Sequence, residues 1–476
     1  MSAVVDAMIG GARVGAATRF AVRDPATELV LAEVADLPDD AVDAAVAAAA
    51  AAQPSWGRQP AGVRGELCAA IARAMLADRD RLAAVITAES GKPLAEAASE
   101  VAYAASFFSW FAGEAPRIYG EVVPAARADQ RIVVERIPIG VCALVTPWNF
   151  PAAMVARKLA AALAAGNTAV IKPSELTPLT TLAIAELAET VGVPAGVINV
   201  ATGAGPRVAQ RLIADPRVRK VSFTGSTAVG RAVLTACAAR GARATVELGG
   251  NAPFVVLADA DLDRAVAAAR VAKFRNAGQT CVAANRFIVD RAIAPAFTAA
   301  MARVAAGLRV GPGTEPGVEI GPLIDERAVA KVRRLVDDAL DRGAALLAGA
   351  SPGPGRWAAP IVLAGITPDM AVWREEIFGP VVAIREVDGE AAAIAAANDT
   401  DAGLCGYVMA RDLAAAARVA TALEVGMIGV NEGLISTAVA PFGGIKASGH
   451  GREGSRHGLD DYLEYKYVMT TALETP

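Results

Sequence analysis

Between Arg131 and Gly250, short β-branched runs alternate with helix-forming segments, and this alternation constrains the fold more than any other feature. VCALVTP (141–147) precedes VARKLAAALAAG (155–166), TAVIKPSE (168–175) precedes TPLTTLAIAELAETVG (177–192), and VINVATG (197–203) follows. KVSFTGS (220–226), a helix from Val229, and ATVELGG (244–250) close the series. Strands that alternate with helices at this spacing form βαβ units around a parallel sheet. A second series begins after Ala252 with PFVVLAD, a helix, RFIVD (286–290) and a long helix, which predicts a second α/β domain. Residues 39–131 read as helices, beginning with the alanine run of AVDAAVAAAAAAQPSW, because alanine has the strongest helix propensity. GPGTEPGVEIGP (311–322) and SPGPGRW (351–357) read as loops, and YLEYKYV (462–468) as an edge strand suited to pairing subunits.

Composition removes several classes of function. Hydrophobic residues make up 54 % and charged residues 20 %, which fits a globular chain. The net charge is −4 with no basic block, so neither nucleic acid nor an acidic membrane surface is the expected partner. Residues 137–156 carry one arginine-free, uncharged run long enough to span a bilayer, but Pro138, Pro147 and Pro151 interrupt it. A buried strand entering a loop and then a helix fits better. The N-terminal MSAVVDAMIGG lacks the basic segment and long apolar run of an export signal. Five scattered cysteines (68, 142, 237, 281 and 405) form no CxxC pair, which argues against disulfides or a zinc site and for the reducing cytoplasm. Only two histidines occur, His450 and His457, so a histidine acid/base would have to come from the C-terminus.

Three segments carry candidate chemistry. FRNAGQTCVAANR (274–286) places Cys281 between a Gly-Gln-Thr turn and a strand, with small neighbours that let a substrate approach. A lone cysteine is as readily a small buried hydrophobe. ELGGN (247–251) puts Glu247 at a strand end, where a solvated carboxylate is the ordinary reading. TPWNFP (146–151) holds Asn149 at another strand end, between Trp148 and Pro151. Ligand sites of open α/β sheets lie at carboxyl ends of strands. A thiol, a carboxylate and a fixed amide donor are the parts that acyl chemistry through a thioester requires. GAGPRV after Val200 begins the usual dinucleotide glycine pattern and fails at its last glycine, so a nicotinamide cofactor would be held another way.

Taken together, TPWNFP, KPSE, FTGS, ELGG, GQTC, EEIFGPV and PFGGIKASGHGREG resemble the aldehyde dehydrogenase superfamily in order and spacing, from about residue 21 to 468. The resemblance implies an α/β fold of two parallel-sheet domains, one Rossmann-like for the cofactor and one catalytic, plus a small oligomerisation strand element. It places the NAD-binding domain at 1–122 and 140–250, the catalytic domain at 251–430, and the oligomerisation element at 123–139 and 455–476. It implies Cys281 as nucleophile, Glu247 as general base, and Asn149 with the Cys281 N–H as oxyanion hole. Cofactor contacts are implied at Trp148, Lys172, Ser174, Glu175, Gly225, Ser226, Gly230, Leu248, Glu376 and Phe378, with no metal. The thiol is expected to have a depressed pKa and Glu247 a raised one. Glu175 would accept the ribose 2′-OH and repel a 2′-phosphate, so NAD is preferred and NADP remains possible, with Lys172 partly offsetting the repulsion.

Within the superfamily, NEGLIS (431–436) and GLDDYLEYKYV (458–468) look most like succinate-semialdehyde dehydrogenase. That resemblance implies Arg157, Arg275 and Ser436 as ligands of the substrate's distal carboxylate, which suits arginine's bidentate geometry. Glutarate semialdehyde, another ω-carboxylated aldehyde, an uncharged aldehyde and a catalytically silent scaffold stay open as alternatives. A homodimer or homotetramer is expected. Some members of that group carry a second cysteine two residues after the nucleophile; here Ala283 stands there, so no disulfide switch is expected. His450 replaces a common leucine and has no functional reading.

Overall fold

The computed structural model describes residues 3–471, so residues 1–2 of the expected first domain and 472–476 of the expected oligomerisation element lie outside the described residues. Its centre is an eight-stranded sheet in the order Gly449–His450, Arg243–Glu247, Val218–Thr224, Val141–Val145, Ala169–Lys172, Ile198–Val200, Ala7–Ile9 and Ala12–Val14. The five strands from Arg243–Glu247 to Ile198–Val200 run parallel. All residues of Val141–Val145 and Ala169–Lys172 are buried. Such continuous apolar strands, covered on both faces by helices, are the pattern that parallel sheets require. The chain builds outward from Val141–Val145 in one direction, then returns to add Val218–Thr224 on its other side. This reversal is the point at which open α/β sheets bind ligands. TPWNFP and TGS leave the two strands that flank it.

A seven-stranded sheet follows, in the order Ala345–Ala348, Ile361–Ala364, Val381–Val387, Ala284–Asp290, Ala252–Val256, Cys405–Met409 and Met427–Val430. It is parallel except at Ala345–Ala348. Residues 248–251 alone separate the last residue of Arg243–Glu247 from the first of Ala252–Val256. Glu247 therefore sits where one sheet passes the chain to the other. Cys281 precedes Ala284–Asp290, at the entrance of the second sheet.

The helix Pro151–Ala165 (PAAMVARKLAAALAA) is buried at every residue. Alanine makes this possible, since its small side chain lets backbones approach closely and costs little rotamer entropy. The helix packs against Leu94–Glu114. The longer alanine run lies in Asp39–Gly57 and buries only one face, through Val42, Ala45, Val46, Ala49 and Trp56. Among the described residues no helix is long and apolar enough to cross a membrane.

The helical reading of residues 39–131 needs correction at its end. Helix stops at Glu114, a short 3₁₀ turn ends at Arg117, and strands run over Glu121–Val123 and Gln130–Pro138. The β-branched pairs Val122-Val123 and Val133-Val134 favour extended backbone, and pairing with a distant strand completes them. Leu463–Thr471 pairs antiparallel with Gln130–Pro138, Leu463 opposite Pro138 through Thr471 opposite Gln130. This three-stranded sheet leaves Val122, Tyr465, Tyr467 and Met469 exposed. His450 has a plain structural place: it pairs with Val246 at the edge of the large sheet, and its Nε2 lies 3.1 Å from the Ala244 carbonyl oxygen.

Candidate active site

Asn149 and Cys281 line one cavity of about 350 Å³, with Trp148, Gly225, Ser226, Leu248, Glu376 and Phe378. The Asn149 amide Nδ2 donates to the Gln279 carbonyl at 3.1 Å. An amide nitrogen carries two hydrogens, so one remains for a substrate oxygen. The nucleophile loop is tightly held. Asn276 and Ala277 adopt φ of +52° and +53°, and Gly278, at φ +76°, has no room for a Cβ against the Gly379 carbonyl. Gln279 Oε1 accepts the Ile324 N–H at 2.9 Å. Trp148 and Phe378 meet edge-on with ring centroids 5.5 Å apart.

The expectation of a depressed thiol pKa is corrected. Burial pushes the Cys281 thiol up to about 12, opposed by the Arg157 charge and, more weakly, by Arg275. Glu376 and Glu247 add to the upward shift. The free chain therefore holds a protonated thiol, because its desolvation outweighs the cations near it.

A second cavity, about 610 Å³, shares Pro147, Trp148, Thr224, Gly225 and Ser226 with the first and extends past Lys172, Ser174 and Glu175. Ser226 is the N-cap of Thr227–Ala238, its hydroxyl accepting the Val229 N–H at 3.4 Å. A helix start with open N–H groups suits a pyrophosphate. Gly225 lies against the Phe223 ring, where a Cβ would come within 2.5 Å of Cζ, and a Cβ at Gly230 would collide with Leu248. Glu376 accepts the Gly250 N–H at 3.0 Å. Lys172 Nζ lies 3.0 Å from Glu175 Oε2. Burial works against the Glu175 charge, but Lys172 holds its carboxyl below the ordinary value. These residues fit an elongated dinucleotide: polar partners for a ribose at one end, a helix start midway, and the thiol at the other.

Glu247 lines neither cavity. It is buried, and its Oε2 has no partner among the described residues. Burial and the neighbouring Glu453 carboxylate raise its pKa well above the usual value, the direction expected of a general base. Arg157 departs from its expected place. It is fully buried, its Nε lies 2.5 Å from Glu453 Oε2, and it lines none of the three cavities described in this section. Glu453 also pairs with Lys158.

Arg275 and Ser436 do come together, in a cavity of about 550 Å³ with Phe150 and Tyr103. Arg275 stands 5.5 Å from the Phe150 ring and forms no ion pair among the described residues, and its Nε has no hydrogen-bond partner there. The acids on that wall are engaged: Glu100 with Lys92, Glu319 with Arg270, and Glu96 with the Asn276 N–H.

The profile of the aldehyde dehydrogenase family matches residues 13–468. The chain belongs to the aldehyde dehydrogenase family. Among its relatives, Escherichia coli (strain K12) succinate-semialdehyde dehydrogenase [NADP(+)] GabD is 49 % identical over 94 % of this chain and 93 % of its own. A Pseudomonas putida glutarate-semialdehyde dehydrogenase is 48 % identical over the same shares of the two chains. The crystal structure of an aldehyde dehydrogenase from Brucella melitensis biovar abortus superposes with a TM-score of 0.97 at 47 % identity, covering 98 % of both chains. As a member of this family the protein is an NAD(P)-dependent oxidoreductase acting on an aldehyde. Among the described residues no group of three or more His, Cys, Asp or Glu side chains is placed to hold a metal ion.

Sequence reasoning missed several residues of this aldehyde dehydrogenase. Gly205 and Pro206 of the incomplete GAGPRV pattern line the cavity of about 610 Å³ beside Lys172 and Glu175. A glycine-rich turn after a strand was the available signal. Glu453 is the central acid of the GREG motif, yet nothing local tied it to Lys158, 295 positions earlier. Tyr103 faces the Arg275 cavity from a helix that reads as ordinary packing, and its hydroxyl has no partner among the described residues.

Proposed function

We propose that the enzyme oxidises succinate semialdehyde to succinate, with NAD preferred over NADP. The observation that carries this reading is Arg275, a cation without a counter-charge among the described residues, sharing a cavity with the Ser436 hydroxyl. Leaving a guanidinium half-buried and unpaired is costly, and a substrate carboxylate relieves that cost. Arg157, already neutralised by Glu453, acts mainly through its field on Cys281 in this reading.

In the proposed chemistry, Cys281 Sγ gives its proton to solvent water and bonds to the aldehyde carbon, and the carbonyl oxygen becomes an oxyanion. The free hydrogen of the Asn149 amide and the Cys281 N–H receive that charge. Held by the residues of the larger cavity, NAD would supply the acceptor for the hydride of that carbon, which would leave a thioester on Cys281. Glu247 then takes a proton from water, whose oxygen attacks the thioester carbon; the C–S bond breaks, and Glu247 returns the proton to the departing sulfur, which frees the acid and restores the thiol. Glu175 supports NAD, since its carboxylate suits a 2′-OH and opposes a 2′-phosphate.

Glutarate semialdehyde is the second reading. A glutarate-semialdehyde enzyme is nearly as similar in sequence, and a cavity of about 550 Å³ admits one more methylene. The exposed Tyr465, Tyr467 and Met469 on the three-stranded sheet support a homodimer or homotetramer assembled through that element. The five free cysteines fit the cytoplasm.

An NADH-coupled panel of C4 and C5 semialdehydes and propanal, run with wild type and Arg275→Ala, tests the substrate class. The expected result is a KM for the semialdehydes raised about 10–100-fold by the loss of a charge-assisted contact, with propanal little changed. Equal effects on all three aldehydes would defeat the carboxylate reading.

A further inference from the structure

Near the nucleophile, the backbone carbonyl of Asn149, which no reaction step uses, accepts two side-chain hydrogen bonds from different segments. Lys92, buried on the segment before Leu94–Glu114, donates to it from Nζ at 2.8 Å. Asn276 Nδ2 donates to the same oxygen at 3.0 Å and to the Gln279 carbonyl at 3.2 Å. Lys92 Nζ also lies 2.5 Å from Glu100 Oε2 and 4.0 Å from the centre of the Phe150 ring. Glu100 Oε1 in turn accepts the N–H groups of Ala152 and Ala153, at 2.9 and 3.2 Å. Those groups open the helix Pro151–Ala165, whose N-cap, Phe150, has no side-chain acceptor to offer. Glu96, one turn before Glu100, accepts the Asn276 N–H at 2.8 Å, and Asn276 holds a φ of +52°.

Three separate segments thus converge on one turn. The acids of Leu94–Glu114 grip the helix start on one side and the nucleophile loop on the other, and Lys92 joins them at Asn149. A buried ion pair is weak evidence for stability, since apolar replacements of similar volume are often neutral or better. Its retention at this spot calls for another account, and the hydrogen bonds supply one.

We propose that Lys92, assisted by Glu100 and Asn276, is a positioning residue that fixes the Asn149 amide over Cys281. This inference rests on Asn149 acting as an oxyanion donor. With the carbonyl of Asn149 held from two sides and its Nδ2 tied to Gln279, the peptide plane and the side chain of Asn149 cannot rotate independently of the nucleophile loop. Misplacement by about 1 Å costs on the order of 100-fold in rate, so a frame this rigid has a use that stability alone does not give it.

The test measures kcat and KM for a semialdehyde and for propanal, the Kd for NAD and the Tm, in Lys92→Met, Lys92→Arg, Asn276→Gly, Asn149→Ala and the Lys92→Met/Asn149→Ala pair. Lys92→Met is expected to lower kcat about 10–100-fold alike for both aldehydes, with the Kd for NAD unchanged and partial recovery in Lys92→Arg. In the pair the two losses should not multiply, because both act through one amide. A near wild-type kcat in Lys92→Met beside a large loss in Asn149→Ala overturns the inference, as does full multiplication of the two losses. Should Lys92→Met fail to fold, Asn276→Gly decides, since glycine keeps the positive φ and removes only the donor: a lowered kcat supports the inference and an unchanged one overturns it. A wild-type kcat in Asn149→Ala would instead overturn the reading of the site itself, and this inference with it.

Discussion

The backbone carbonyl and amide nitrogen of Asn149 find partners within the protein, although its Oδ1 has none among the described residues, whereas in the cavity of Arg275 and Ser436 the Arg275 Nε and the Tyr103 hydroxyl are left without them. The Asn149 carbonyl accepts two hydrogen bonds and its amide donates one. Arg157 is paired with Glu453. Arg275 Nε and the Tyr103 hydroxyl have no partner among the described residues. Buried polar groups are ordinarily satisfied, so the contrast separates two jobs. In the proposed reading the tied carbonyl and amide nitrogen of Asn149 belong to the frame that aims the chemistry, and the open Arg275 Nε and Tyr103 hydroxyl serve a bound molecule.

The contrast can be broken or sharpened at several points. The largest effect is expected at the thiol: Cys281→Ser should abolish steady-state NADH production, because a hydroxyl cannot supply a comparable nucleophile. Retained turnover in that variant would remove the nucleophile from the reading. Next comes the frame's one free hydrogen, with Asn149→Ala expected to lower kcat on the order of 10²–10³-fold. A change confined to KM would move Asn149 from the frame to the ligand group.

A smaller effect concerns pH. Burial and then Glu453 raise the Glu247 pKa, so its basic form appears only as pH climbs past the ordinary carboxylate range. The Cys281 thiol, pushed up to about 12, also ionises more as pH rises. Both signs agree, and kcat/KM should increase as pH rises above the ordinary carboxylate range. Glu453→Gln removes the carboxylate that raises Glu247 and leaves Arg157 and Lys158 uncompensated, so the rising limb should move to lower pH. A limb that stays in place would detach Glu247 from this charge cluster. The smallest effect is at the cofactor's far end, where Glu175→Ser should improve the NADP-to-NAD ratio of kcat/KM by about tenfold, the scale of one charge–phosphate repulsion. An unaltered ratio would take Glu175 out of cofactor choice.

Much of the frame was legible in the sequence because strand-end motifs carry their own context. TPWNFP, FTGS and ELGG each follow a β-branched run, and the sheet order brings their ends together at the strand reversal. What the sequence hid was pairing over distance. Lys92 lies 57 positions from Asn149, and no local pattern marks a lysine that will donate to a backbone carbonyl. Arg157 was placed correctly on its helix, but its charge was assigned to a substrate because Glu453 lies far along the chain. The direction of the Cys281 shift failed for a related reason. Motifs name the neighbouring groups, while the extent of desolvation depends on how completely they close around the sulfur. The strands Glu121–Val123 and Gln130–Pro138 escape a local reading because the sheet that they form is completed by Leu463–Thr471, at the other end of the sequence.

The buried alanine helix, Pro151–Ala165, has a consequence for how this enzyme can change. Packed on every side, it accepts almost no larger residue without shifting the turn that carries Asn149. Variation that alters the chemistry is thereby closed off along this helix. The segment holding Leu434 and Ser436 is under no such restriction, since Leu434 is exposed and Ser436 only half-buried. If the proposed substrate role of Ser436 holds, new substrates are reached by redrawing that loop while the turn that carries Asn149 stays in place.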